Sequence, residues 1–260
     1  VPRRAALTSS HRPPLTIPDQ KAVAEKFGAL PLSFEPNVGQ AAPAFDFVSH
    51  GPNYAVLLAA DQATIDTQQQ EIAQDPGLRK MNAKTLRKFE RTKYFRSSPR
   101  FRKLRKLQRV TIGLSGANEH AKAEPFQQLP GQSSYFVGND RSNWRTGISN
   151  YARVKYASIY PGIDLVYYGN RRQLEFDFLV SPGADPAAIS LKLSAPDRVS
   201  INNDGDLLLA RSKNSLFLRH PTIYQVANGR RQSVGGSYHL DSDGRVAITV
   251  GSYDKTKPLG

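Results

Sequence analysis

Apolar and polar residues alternate through much of this chain. Leu174, Phe176 and Phe178 interleave with Glu175 and Asp177, and a period of two places the two sets on opposite faces of a strand. Residues 45–48 and 54–58 are strand-like around the turn-forming His50, Gly51, Pro52 and Asn53, which predicts a hairpin, with a third strand over 63–66. Strands resume at 110–114 and fill the rest of the chain. Two further hairpins are expected: 198–201 with 207–210 around Asn202-Asn203-Asp204-Gly205, and 237–240 with 246–250 around Asp241-Ser242-Asp243-Gly244.

Two stretches depart from this period. Over 17–28, Pro18 and Asp19 precede Val23, Ala24 and Phe27, with Gly28 closing the run, the signature of a short capped helix. Over 76–107, Leu78, Met81, Leu86 and Phe89 stand near helical spacing, Pro99 interrupts, and Phe101, Leu104 and Leu107 recur every third residue. Two short helices are expected there. The predicted fold is therefore all-β, mostly antiparallel and sandwich-like, with a short N-terminal helix and a basic helical insertion. Its expected parts are a tether (1–18), a first β segment (19–75), the insertion (76–107) and the main β region (108–260).

Charge sharpens the contrast. The chain has 260 residues and a net charge of +14. Thirteen of its cations, Arg79, Lys80, Lys84, Arg87, Lys88, Arg91, Lys93, Arg96, Arg100, Arg102, Lys103, Arg105 and Lys106, accompany the single acid Glu90, and the remainder carries 23 basic against 21 acidic residues. The high isoelectric point thus belongs to one segment. Phe89, Tyr94, Phe95 and Phe101 are interleaved with this charge, a pattern suited to nucleic-acid phosphates or an anionic lipid surface. An acidic partner domain, a second copy of the chain or an anionic envelope polymer suits it as well, and these partners are preferred. The chain has no cysteine, so disulfide scaffolds, thiolate catalysis and thiol-ligated zinc are excluded. No apolar run is long enough for a membrane-spanning helix. Val1 to Pro18 lacks a signal-peptide core and reads as a mature N-terminus.

Five ordered motifs carry a resemblance. They are Leu30-Pro31-Leu32-Ser33-Phe34-Glu35-Pro36-Asn37-Val38-Gly39-Gln40; Ser134-Tyr135-Phe136-Val137-Gly138-Asn139-Asp140 with Trp144-Arg145-Thr146; Tyr160-Pro161-Gly162-Ile163-Asp164-Leu165-Val166-Tyr167-Tyr168-Gly169-Asn170; Leu174-Glu175-Phe176-Asp177-Phe178; and Pro182-Gly183-Ala184-Asp185-Pro186. Together these resemble the N-terminal domain of unknown function that precedes beta-propeller-type (SBBP) repeats in large secreted bacterial proteins. The resemblance implies export, a multidomain setting and no established activity. It also implies that residues 251–259 lead toward a following domain. The basic stretch departs from the family pattern.

Several constellations can carry chemistry. Glu175 and Asp177 share a strand face, and Asp164 on a neighbouring strand can join them beside Tyr167 and Tyr168, with Arg171-Arg172 in the turn. Three convergent carboxylates suit calcium or the paired acids of glycoside hydrolysis. The alternative is that they pair with Arg145, Arg153 or Lys155, or form a solvated sheet face. Trp144 with Tyr135, Phe136, Tyr151 and Tyr156, or with Tyr167 and Tyr168, offers a stacking platform for sugar rings, although a lone tryptophan in a β domain is more often core. His11, His50, His120, His220 and His239 are scattered without metal-ligand spacing and read as surface or turn residues. No Gly-x-Ser-x-Gly elbow and no phosphate-binding or dinucleotide glycine pattern occurs. The sequence points to a non-catalytic surface or assembly module needing no cofactor, calcium excepted.

Overall fold

Strand pairing begins where the alternation predicts it. The computed structural model describes residues 32–51, 54–72, 103–170, 173–194, 197–211, 214–227 and 229–260. Its largest sheet is built from β1 (Glu35–Pro36), β2 (Phe47–His50), β3 (Tyr54–Ala59), β4 (Gln62–Ile72), β5 (Lys103–Leu114), β10 (Ser190–Ser194), β17 (Arg245–Val250) and β16 (Gly236–Leu240), in that spatial order. A second sheet runs β6 (Ala123–Tyr135), β7 (Arg145–Tyr160), β8 (Ile163–Asn170), β9 (Gln173–Val180). All pairings are antiparallel. Val56, Leu58, Val110, Ile112, Leu191 and Val246 of the first sheet and Val154, Tyr156, Leu165, Tyr167 and Phe178 of the second are buried in one core. Two smaller units complete the chain: β11 (Arg198–Ile201), β12 (Leu207–Arg211) and β13 (Asn214–Leu218), and the hairpin of β14 (Ile223–Ala227) with β15 (Arg230–Val234).

The predicted hairpins form as β2–β3, β11–β12 and β16–β17. The helices do not stand in the same way. The stretch 17–28 and residues 76–102 of the basic segment lie outside the described residues, and 103–107 is strand, the beginning of β5. Pairing overrides the local every-third spacing there: β5 matches β4 from Gln62↔Gly113 to Ile72↔Lys103, and strand preference reflects cross-strand neighbours more than intrinsic tendency. Among the described residues, helix is confined to single 3-10 turns at Arg141–Asn143 and Pro186–Ala188. No helix among them is long and apolar enough to cross a membrane.

The β4–β5 ribbon outruns its neighbours. β3 pairs only Gln62 to Thr67 of β4, and β10 pairs only Thr111 to Leu114 of β5. Beyond these limits, among the described residues, the two strands pair with each other alone. The edge strand β6 is blunted by Pro125 and Pro130, by register shifts after Gln128 and Ser133, and by Gln127 at φ 58°, devices that disfavour edge-to-edge association.

Leu32 to Phe34 ties the two sheets together. Phe34 and Tyr151 exchange backbone hydrogen bonds of 2.8 and 2.9 Å, and Leu32 lies so close to Gly169 that a Cβ there would stand 2.5 Å from the Leu32 nitrogen. Far along the chain, Leu259 bridges Val180 of β9 and Gln225 of β14. Gln225 is buried; its Nε2 donates to the carbonyls of Asp254 (2.8 Å) and Lys257 (3.3 Å), and its Oε1 accepts from the Asp254 N–H.

Candidate functional site

Glu35 enters the structure on a two-residue strand and turns its carboxylate toward the β6–β7 hairpin. It is only 6% exposed. Ser133 Oγ donates to Oε1 and the Tyr135 hydroxyl donates to Oε2, each at 2.7 Å. Ser133 and Tyr135 are two apart on β6, so strand geometry delivers both hydroxyls to the same carboxylate. Asn150 Nδ2 donates to Ser133 Oγ (3.2 Å) and to the Gly131 carbonyl. At the end of β2, His50 Nδ1 lies 3.0 Å from the Tyr135 oxygen, with ring centroids 5.6 Å apart. Because the phenol proton is engaged by Glu35, Nδ1–H is the donor in that contact. Burial, followed by the hydrogen bond and charge of Glu35, holds the Tyr135 phenol well above its usual range.

Above this base, Asn37 organises the loop that follows β1. Its Oδ1 accepts from the N–H groups of Gly39 and Ala41, both at 3.1 Å, while Nδ2 donates to the carbonyls of Ala42 (2.9 Å) and Phe45 (2.8 Å). Gln40 closes the turn by accepting from Val38 N–H and donating to the Pro36 carbonyl. Gly39, at φ +108°, adopts a backbone that other residues avoid. Arg145 then fastens this loop to the start of β7: Nε donates to the Val38 carbonyl at 2.9 Å, and Nη1 to those of Ser142 (2.8 Å) and Trp144 (3.2 Å). Val38 itself is 49% exposed.

The tip of the β6–β7 hairpin is apolar and uncovered. Phe136 and Val137 are 64% and 62% exposed. Trp144 meets Phe136 edge-on with centroids 5.1 Å apart, and its Nε1 donates to the Gly138 carbonyl. The Arg141 guanidinium lies 5.4 Å from the Trp144 ring centre, a cation–π distance. Asp140 caps the turn by accepting from the Ser142 N–H, which holds its carboxyl below the usual range. Among the described residues, no carboxylate stands within ion-pair distance of Arg141 or Arg145. On the far side of the Asn37 loop runs an open groove of about 760 Å³, lined by Asn37, Gly39, Phe45, Asp46, His120 and Lys122 among others. Asp46 accepts there from the hydroxyl of Tyr156.

The residues expected to carry chemistry are differently disposed. Asp164 and Asp177 sit diagonally across β8 and β9, and Glu175 lies opposite Tyr168, so all three share a sheet face. Each is taken up locally. Asp164 accepts from the Ser158 N–H at 2.8 Å, freed by a bulge where Ser158 has φ 51°, and pairs with Lys155 at 3.1 Å. Burial raises the Asp164 pKa, but these two partners outweigh it and hold it low. Asp177 accepts from the Tyr168 hydroxyl, and Glu175 from Asn170 Nδ2. Among the described residues no three His, Asp or Glu side chains gather to hold a metal ion.

Of the proposed sugar platform, Tyr167 is 3% exposed and belongs to the core, against Tyr156 and Phe176, so it offers no face to a ligand. Tyr168 packs under Arg153 at 5.0 Å. Trp144, whose expected place was the core, lies outside it with Phe136; it closes the 3-10 turn Arg141–Asn143 that connects β6 to β7. Arg79, Lys80, Lys84, Arg87, Lys88, Arg91, Lys93, Arg96, Arg100 and Arg102 lie outside the described residues. Lys103, Arg105 and Lys106 fall on β5 opposite Ile72, Gln70 and Gln69. Sequence reasoning missed Glu35, His50 and Ser133, whose meeting depends on pairings about a hundred residues apart; the single legible hint was the period-two pair Ser133 and Tyr135.

No curated protein and no solved structure matches the chain. A family described as a domain of unknown function, DUF7948, matches residues 34–260, a span that includes Glu35, the Asn37 loop and the β6–β7 hairpin, and the chain belongs to that family.

Proposed function

We propose that this domain is a non-catalytic binding module of a secreted bacterial multidomain protein, with the tip of the β6–β7 hairpin and the Asn37 loop as its contact surface. The observation that carries the proposal is the exposure of Phe136 against Trp144, of Val137 next to it, and of Val38 on the loop that Arg145 fastens to β7. An uncovered apolar cluster mounted on a rigid polar base is the usual anatomy of a recognition surface. Export and a place before propeller-type repeats rest on the five-motif resemblance. Partners of matching chemistry are an anionic envelope polymer or carbohydrate, an acidic partner domain, and a second copy of the chain. Asp164, Glu175 and Asp177 each satisfy a neighbouring group, which favours binding over hydrolysis.

A second reading places the contact at the thirteen cations between Arg79 and Lys106, through which nucleic acid or another polyanion would bind with steep salt dependence. The two separate in one experiment. Light scattering and affinity electrophoresis through envelope polymer are run at about 50 and about 500 mM salt on the parent chain, on Phe136→Ser/Val38→Ser, and on a chain with the thirteen cations neutralised. Retention or self-association that disappears with Phe136 and Val38 supports the hairpin tip. Loss only on neutralisation supports the basic stretch instead, and a monomer with no retention under any condition sinks both.

A further inference from the structure

Building on the binding module just proposed, we infer that the hairpin tip takes a carboxylated sugar, a uronic acid within a polysaccharide, with the Phe136 ring against the sugar's apolar face and Arg141 and Arg145 toward its carboxylate. Three observations converge on this ligand class. Phe136 presents its ring to solvent and is held by the edge-on contact with Trp144, whose own orientation is fixed by the Nε1 bond to Gly138. A rigid aromatic surface with polar neighbours suits a ring that is apolar on its face and hydroxylated on its rim.

Two guanidinium groups belong to the same turn, and among the described residues neither has a carboxylate partner. Arg145 uses Nε and Nη1 on backbone carbonyls, and no hydrogen bond engages its Nη2 among the described residues. Gly39 lies beside that edge: a Cβ there would stand 3.4 Å from Nε and 3.5 Å from Nη2, in ordinary contact. Arg145 therefore offers a carboxylate its charge and one donor nitrogen, Nη2, while among the described residues no hydrogen bond occupies the Arg141 guanidinium, whose fork matches a carboxylate in shape as well as charge. The third observation separates a sugar from a nucleic-acid strand. Between Phe136 and Arg145 the turn holds two cations, Arg141 and Arg145, and one acid, Asp140, a charge suited to one carboxylate rather than to a run of phosphates.

The test is calorimetric titration of the full chain with an oligogalacturonate, with its methyl ester, and with a single-stranded oligonucleotide. Binding to the acid form that is lost in the ester is expected. Phe136→Ala and Arg141→Gln, both at exposed positions, should each weaken it by about tenfold or more with an unchanged urea midpoint, while Phe136→Tyr, which keeps the ring, should retain it. Equal binding of acid and ester, wild-type affinity in both weakening variants, or binding of the oligonucleotide alone overturns the sugar assignment. If the tip variants still abolish retention on another envelope polymer, the binding module stands without this ligand; if they alter no interaction at all, it falls as well.

Discussion

The Tyr135 hydroxyl and the Glu35 carboxylate meet at 2.7 Å across 100 residues of sequence. This contact joins the first strand of one sheet to the edge strand of the other, directly beneath the exposed hairpin tip. Tyr135→Phe removes one donor and leaves a buried carboxylate oxygen unsatisfied. The expected loss is about 1–3 kcal/mol of folding stability, because the desolvation of the orphaned acceptor is no longer offset. Urea denaturation measures it as a lower midpoint with unchanged slope. In a Glu35→Leu background the same substitution should cost much less, since the acceptor is already gone.

Alkaline pH acts on the same chemistry. Burial raises the phenols of Tyr135, Tyr156, Tyr160, Tyr167 and Tyr168, and pushes Tyr238 up to about 12. A phenol with a folded-state pKa above its unfolded value of about 10 contributes stability that is complete below that pH. The contribution declines as pH rises above it, because the unfolded chain then releases protons that the folded chain keeps. Stability should therefore be flat with respect to these groups through neutrality and fall steeply above about pH 10. The share of the phenolate absorbance that belongs to these six of the eleven tyrosines should appear late and together with loss of the strand circular-dichroism signal. Gradual ionisation of these tyrosines in a still-folded chain would contradict it.

Close approach makes Gly169 the next sensitive position. A methyl group there would lie 2.5 Å from both the nitrogen and Cβ of Leu32, and backbone cannot step aside as the far end of a flexible side chain can. Gly169→Ala should cost about 1–3 kcal/mol through overpacking. Because Leu32 precedes the Phe34–Tyr151 bridge, hydrogen exchange at the Tyr151 amide should accelerate with it.

The strands were legible because their signals are local. Turn residues at 202–205 and 241–244 and alternation on either side mark β11–β12 and β16–β17 without any knowledge of partners. The length of β4 and β5 was not legible. Gln68, Gln69 and Gln70 and Lys103 to Leu107 show no one-sided apolar pattern, and they become strand by pairing with each other. The candidate site was hidden for the same reason. Asp164, Glu175 and Asp177 drew attention because two share a strand at period two, yet they serve a bulge, a lysine, a tyrosine and an asparagine. Glu35 and His50 carry no such pattern; their roles arise from contacts far apart in sequence. Trp144 was misplaced because large aromatics are usually core, and a single 3-10 turn at Arg141–Asn143 puts it outside.

Gln225 offers a test of how the small β14–β15 hairpin is held to the main sheets. Its buried carboxamide both donates to and accepts from the 254–258 segment, and that segment leads to the Leu259 bridge between β9 and β14. Gln225→Leu keeps the volume but removes the donor and the acceptor together. The Asp254 N–H and carbonyl lose their side-chain partner in a part-buried setting, at an expected cost of about 1–3 kcal/mol. The damage should be uneven along the chain: amides of Leu259 and Gly260, which bond to Val180 and Tyr224, should exchange faster, while Leu165 and Tyr167 in β8 should keep their protection. Uniformly faster exchange in both groups would instead mean that the 254–260 segment is integral to the cooperative unit of the core.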